Sequence, residues 1–319
     1  MNWLFDSITE GTLYNWEQAI GDSFFVISLA ILTVELVRYA LRKRLNWRLA
    51  GDTVTNFVTQ AFFVGLGLLL FYAFYLATFS VASGFALFNI PVNGVTLVIA
   101  VLLADFMYYW EHRFSHRVAA AWATHTVHHS SSNFNMSVAY RFGPMDAFWS
   151  VFFYVPLVLI GFNPYLVLFA EAFVLAYQVV LHTELVGKLP RPIEWLMNTP
   201  SHHRVHHGTN APYVDKNYGG VFIIWDRLFG TFAEETEKVE FGVSPQVESV
   251  NPFVVFFHGF ARLWRAVRAE PRFSDKLRVL VKPPGWKPKT RATTAAIIAR
   301  RAAPRQPRNA IVPPSSTTP

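Results

Sequence analysis

Apolar positions fall in long unbroken runs along the first half of this chain. Runs long enough to cross about 30 Å of hydrocarbon as helices occupy approximately 22–41, 55–82 and 95–111. Two further runs, about 145–161 and 164–181, are separated by Gly161-Phe162-Asn163-Pro164. Gly, Asn and Pro suit a tight turn, so this pattern predicts an antiparallel hairpin, with arms of about 17 residues at the lower limit for a span. The fold class that follows is all-α: a polytopic membrane bundle of about four to five helices carrying a helical cap formed by 112–144 and 182–270.

Beyond the hairpin the pattern changes. Asn251 to Arg268 sets Arg262, Arg265 and Arg268 at three-residue steps beside Phe, Leu and Trp, as in an amphipathic helix lying on anionic lipid or packed on the cap. From Pro283 onward there are eight prolines, seven bases and no acid, a composition that favours disorder. The chain therefore divides into an acidic N-terminus (1–21), a membrane domain (22–270) and a basic, Pro-rich tail (271–319).

Composition sharpens this picture. Hydrophobic residues make up 52% of the 319 and charged ones only 15%, with a mean hydropathy of +0.27, too apolar for an ordinary soluble domain. The net charge of +7 must come from a few clusters, and nothing in their arrangement points to nucleic acid. Cysteine is absent, which removes disulfides, iron–sulfur clusters, thiolate zinc sites and a thiol nucleophile together. The opening residues carry Asp6, Glu10, Glu17 and Asp22 and no base, so they lack the n-region of a cleavable signal. Arg38, Arg42, Lys43, Arg44 and Arg48 follow the first run, whereas Val81 to Gly94 is uncharged. The positive-inside rule then sets the first loop, and with it His112 and His182, on the cytoplasmic side of a multi-pass protein, whether in a bacterial inner membrane or the endoplasmic reticulum.

Ten of the eleven histidines lie between 112 and 207. His112 and His116 (HRFSH) are one helical turn apart on one face. His125, His128 and His129 (HTVHH) add a three-residue step expected to keep His125 and His128 together, and His203, His206 and His207 (HHRVHH) repeat it, with His182 and His202 completing the set. A lone histidine in an apolar chain is ordinarily a hydrogen-bonded structural residue. Ten converging imidazoles without a metal would repel when protonated and pay for desolvation when not. So many neutral donors exceed one tetrahedral or octahedral site and point to two metal ions, although imidazole suits iron, copper and zinc alike.

The three boxes resemble the HxxxH, HxxHH and HHxxHH motifs of the fatty acid hydroxylase and sterol desaturase superfamily, whose members are membrane di-iron enzymes. The resemblance covers about 95–235. It looks closest to the alkylglycerol monooxygenase branch and its bacterial relatives, through NTPSHHRVHHG (198–208), DKNYGG (215–220) and WDRLFGTF (225–232). It implies two irons held by His112, His116, His125, His128, His129, His182, His202, His203, His206 and His207, and an O₂-dependent hydroxylation or desaturation of a sterol, fatty acyl or ether lipid. Two departures are present. Ser132-Asn133 stands where ether-lipid members usually have an acid, which weakens a pterin-dependent reading. Val186 stands where some fatty acid hydroxylases have a further histidine, which leaves His202 as the tenth ligand.

A metal-bound imidazole usually donates its other N–H to a carboxylate or carbonyl. Asp105, two turns before His112, and Glu184, Asp215 and Asp226 are the acids placed for that task. Glu111 reads as a surface or interface charge, His258 as structural, and Arg141 as either a lipid-headgroup contact or half of an ion pair. The chain has no Gly-rich dinucleotide fingerprint, so electrons must arrive from a ferredoxin, a cytochrome or a reduced pterin. The rival reading is a histidine-lined metal transporter, which would set its ligands mid-span.

Overall fold

The computed structural model describes residues 6–288. Met1–Pro284 form one compact unit, and Gly285–Pro319 form a second, of which only 285–288 are described. Twelve α-helices and no named strand occur among the described residues.

Three stretches are long and apolar enough to cross a membrane: α1 (Glu10–Leu41), the continuous rod Trp47–Ser83 and α4 (Gly94–Arg117). The rod comprises α2 (Trp47–Leu66), a π-helical turn (Gly67–Phe71) and α3 (Tyr72–Ser83). The anticipated hairpin is α6 (Asp146–Ile160) and α7 (Pro164–Val179), each about 22–24 Å long at ~1.5 Å per residue. Gly161 makes the turn at φ 127°, a conformation L side chains rarely adopt. A Cβ there would also lie 2.2 Å from the Phe88 carbonyl.

The ends of these helices follow from local chemistry. Asn163-Pro164, Thr199-Pro200 and Asn251-Pro252 each start a helix, the Asn or Thr side chain accepting a first-turn N–H and the proline occupying a position that needs none. Leu13, Phe79, Ala100, Ala104, Tyr154, Leu157, Leu166 and Val174 form one core between α1, α3, α4, α6 and α7. Ala100 and Ala104 let the neighbouring helices approach α4 closely.

The cap comprises α5 (Ala119–His129), a 3-10 turn (Met136–Tyr140), α8 (Arg191–Leu196), α9 (Pro200–His206), α10 (Ile224–Phe229), α11 (Pro252–Arg268) and α12 (Phe273–Val281). Three boundaries differ from those expected. The first helix begins at Glu10 rather than 22, because Thr9 caps it and Leu13 is already in the core. The cap includes the first half of α2, whose Asp52, Thr55, Asn56 and Thr59 are buried. It also includes α12, inside the segment expected to be a disordered tail and packed on α5 and α11. The rest of that tail, 289–319, lies outside the described residues.

Among its contacts α11 packs on α5, with Val255, Phe256, His258 and Gly259 buried and Phe253, Phe257 and Trp264 exposed. The crossing depends on Gly259, where a Cβ would lie 2.0 Å from the Ala123 carbonyl on the helix that carries three of the histidines. Gly259→Ala is therefore expected to push α11 off α5 at a cost of about 1–3 kcal/mol. It should lower the thermal midpoint in detergent, whereas Gly187→Ala, where the added carbon meets nothing within 4 Å, should not.

Candidate metal centre

The histidines reach the site from four places: the last turns of α4, the second half of α5, His182 three residues beyond α7, and α9 with its C-cap His207. Nine form two groups, each with its donor atoms within 4.8 Å of one another: His112, His116, His125, His129 and His206, and His128, His182, His203 and His207. Each group could hold a metal ion.

Helix geometry explains the division. Residues four apart differ by about 40° around the axis and residues three apart by about 60° the other way. His125 and His129 therefore stay together while His128 turns to the second group, and His203 and His207 stay together while His206 turns to the first. The expected pairing of His125 with His128 is corrected on this point. The groups abut where the His129 and His207 rings stack, with centroids 4.3 Å apart.

Four rings have a fixed tautomer. His112 Nδ1–H donates to the Tyr218 carbonyl (2.9 Å), His128 to that of Arg141 (3.2 Å), His182 to that of Gln178 (3.0 Å) and His206 to that of Lys216 (3.0 Å). A carbonyl can only accept, so in each neutral ring Nε2 carries a lone pair. Yet His128 Nε2 and His182 Nε2 face each other at 3.2 Å, neither having a hydrogen to share, and His203 Nε2 lies 2.9 Å from His182 Nε2. Protonation does not relieve this, because burial pulls His128 down to about 4 and His206 to about 3. His116 Nε2 and His206 Nε2 are buried without a partner. Converging lone pairs and orphaned nitrogens are the donor set that a cation completes, so the residues present fit bound metal.

His202 does not join them. One residue before His203 it turns about 100° away, and its Nε2 lies 2.9 Å from Glu194 Oε2. This corrects its placement as tenth ligand. His258 is also apart, its Nδ1 donating to the Val255 carbonyl at 2.6 Å.

The acids act differently from the expectation. Asp226 accepts Tyr218 N–H and Gly219 N–H at 2.8 and 2.7 Å, so it positions the carbonyl that holds His112 without touching the ring. Asp105, fully buried, accepts Val221 N–H, Phe222 N–H and the Trp225 indole from the same loop. Gly220 permits this approach, since a Cβ would sit 2.6 Å from Asp105 Oδ1. Asp215 comes nearest a ring, 3.8 Å from His116 Nδ1, while accepting from Arg117 at 2.8 Å. Glu184 meets the Tyr39 hydroxyl at 3.4 Å and no histidine of the two groups.

Arg141, 1% exposed, is the cap's internal clamp. It donates to Asp52 Oδ1 (2.8 Å) and Asn56 Oδ1 (2.7 Å) on α2 and to Val127 O (2.9 Å) and Ser130 Oγ at the end of α5, while its own carbonyl holds His128. The ion-pair alternative for Arg141 is the one the structure contains. Sequence reasoning missed Asp52, although Asp52, Thr55, Asn56 and Thr59 at helical spacing in an apolar run are a polar stripe that marks a buried partner.

Below His112, His125, His128 and His182 opens a cavity of about 310 Å³ that reaches between α2, α4, α6 and α7. Glu111 lines it and accepts a hydrogen bond from the Ser150 hydroxyl. Of the two readings for Glu111, a surface or an interface charge, the structure contains the interface, because α6 covers that face of α4.

Two expectations follow. His182→Ala should lose most of the bound metal, whereas His202→Ala should retain it, as measured by elemental analysis of purified protein. Arg141→Met leaves Asp52 buried without its counter-ion, still accepting only from Ser131 and Asn133, a loss of about 3–5 kcal/mol; adding Asp52→Leu should restore part of the thermal midpoint, and a double variant no better than the single would contradict the clamp.

The chain is similar to alkylglycerol monooxygenase from Homo sapiens, 40% identical over 266 residues, which is 83% of this chain and 59% of that protein. It is also similar to alkylglycerol monooxygenase from Danio rerio, 45% identical over 190 residues, 60% and 42% of the two chains. A more distant relative is an ornithine lipid hydroxylase from Rhizobium tropici, 29% identical over 137 residues, 43% and 41%. The chain thus spans little more than half the length of the human relative. No solved structure matches. The family model described as fatty acid hydroxylase matches residues 97–231, the stretch that carries all nine histidines of the two groups.

Proposed function

We propose that the protein is a membrane-bound di-iron oxygenase that hydroxylates or desaturates a lipid C–H bond, with His112, His116, His125, His129 and His206 holding one iron and His128, His182, His203 and His207 the other. The observation that carries this reading is the junction of nine buried imidazoles, four of them with tautomers fixed by main-chain carbonyls, with a cavity that opens among apolar helices. Bound iron would supply the O₂ activation and electron transfer that no side chain of this chain provides. The protein's own work is orientation and exclusion of water. Main-chain carbonyls keep Nδ1 protonated, and Phe134, packed on the His182 and His207 rings, and Trp122, packed on His116, cover the site. The similarity to alkylglycerol monooxygenases and an ornithine lipid hydroxylase supports a lipid substrate.

The site sits at the end of the bundle bearing the basic α1–α2 loop, since Glu35, near the end of α1, accepts from Met136 N–H (2.8 Å) and the Thr183 hydroxyl (2.6 Å) in the cap. By the positive-inside rule that end faces the cytoplasm, where a ferredoxin, a cytochrome or a reduced pterin would deliver electrons. Ligands enclosed at the helix ends suit a resident cofactor better than the mid-span pathway of a transporter.

Elemental analysis of protein purified from iron-supplemented cells should give about two irons per chain. Untargeted lipidomics with and without the gene should find lipids that differ by one oxygen or two hydrogens. An unchanged lipidome together with metal uptake that depends on the gene would replace this reading with the transporter.

A further inference from the structure

The last two helices turn large apolar side chains outward. On α11, Phe253, Phe257 and Trp264 fall within about 40° of one another around the axis, on the side away from Gly259 and α5, and all three are exposed, Trp264 at 62%. α12 repeats the arrangement. Phe273, at 74%, Leu277 and Val281 are exposed at four-residue steps, while Asp275 and Val279 face the protein. An apolar stripe turned outward on an amphipathic helix marks a surface that something covers. The charges beside it have one sign. Pro252 to Lys282 carries seven bases and two acids, and both acids, Glu270 and Asp275, are buried. The pair is also fastened at both ends where membrane helices meet the cap. Phe253 and Phe256 pack on Phe62, with ring centroids 4.9 and 5.5 Å away. There the buried polar stripe of the rod Trp47–Ser83 has ended at Thr59, and outward apolar residues, Val64 and Leu68, begin. At the other end the Lys282 carbonyl accepts Ala119 N–H at 3.0 Å, two residues beyond the end of α4.

We propose that α11 and α12 lie in the membrane surface, their two apolar stripes entering the acyl boundary while Arg265, Arg268 and Arg272 meet anionic phospholipid headgroups. Aromatic residues on one side of a helix and bases at its flank are the composition of an interfacial helix, and each base near an anionic leaflet adds to the attraction. An acidic protein would also answer the bases. The stripes, however, begin against the part of the rod that itself turns apolar residues outward, so the leaflet surrounding the rod is already within their reach. A shallow groove of about 550 Å³ beside the first turns of α11, lined by Phe253, Val254, Phe257, Arg262 and Arg265, offers one phospholipid a seat, with acyl chain on the phenylalanines and phosphate on the arginines. Glu248 at its rim is paired with Arg48 at 3.9 Å. Because α11 crosses α5 at Gly259, the lipid contact reaches the helix bearing His125, His128 and His129 through a single layer of packing. The inference goes beyond the oxygenase reading and does not rest on it, since it needs neither metal nor turnover.

The absence of cysteine makes a labelling test direct. Phe257→Cys, Trp264→Cys and Leu277→Cys, all at exposed positions, and Lys238→Cys, exposed elsewhere on the cap, as control, are spin-labelled one at a time in the full-length protein and placed in nanodiscs. Collision of each label with O₂, which concentrates in hydrocarbon, is compared with collision with a water-soluble nickel chelate. In discs of phosphatidylcholine mixed with phosphatidylglycerol, the ratio of O₂ to nickel collisions should exceed the control's by about tenfold at all three positions. Discs of phosphatidylcholine alone should lower that ratio severalfold, and so should the combined change Arg265→Gln, Arg268→Gln and Arg272→Gln in mixed discs. Three labels as open to nickel as the control in mixed discs would overturn the proposal. Labels immersed alike in both kinds of disc and indifferent to the triple change would overturn the part given to anionic headgroups. Labels open to nickel until an acidic [2Fe–2S] ferredoxin is added would replace the membrane with a protein partner. The three positions are read independently, so one variant lost to misfolding leaves the other two to decide.

Discussion

Unprotonated nitrogens held against one another at about 3 Å in a buried cluster are the constraint on which the rest of this structure depends. Two such lone pairs repel, and burial denies them the proton that would turn repulsion into a hydrogen bond. The cap must therefore be rigid enough to hold the arrangement. Its parts answer that need: the Arg141 guanidinium joins α2 to the end of α5, Asp226 and Asp105 fasten the loop over α4, and Gly259 brings α11 down onto α5.

The membrane helices take part in the same task. α4 is at once a candidate span, with Ala100 and Ala104 in the bundle core, and a bearer of the candidate metal centre, with His112 and His116 in its last turns. The rod Trp47–Ser83 divides its labour along its length. Its first half turns a polar stripe to the cap, and after the π-helical turn its second half packs apolar residues on α6. One wall of the cavity is thus continuous with the clustered histidines and another with the bundle.

Much of this was legible in the sequence. Uninterrupted apolar runs marked the long helices, Gly161 to Pro164 marked the hairpin, and the spacing of the boxes marked nine of the ten clustered histidines as neighbours. What was not legible depended on rotation and on distant partners. His202 differs from His203 by one position, and only the placement of Glu194 on α8 shows that it faces away. The partition of His125, His128 and His129 required knowing that two centres flank α5. Asp52 and Arg141 lie 89 positions apart, and no local pattern joins them. Glu111 read as a surface or an interface charge because nothing in the chain's periodicity announces that α6 covers it.

The imidazoles whose tautomers are fixed are fixed by main-chain oxygen, at Arg141, Gln178, Lys216 and Tyr218. Every amino acid supplies that atom, so the side chains at these positions are free to drift as far as ring orientation is concerned. Register is not free. Adding or removing a single residue between His206 and Lys216, or between His128 and Arg141, would carry the accepting oxygen past its ring while leaving every histidine in place. In this domain the vulnerable quantity is the count of residues between anchor points, a property that a comparison of residue types alone would pass over.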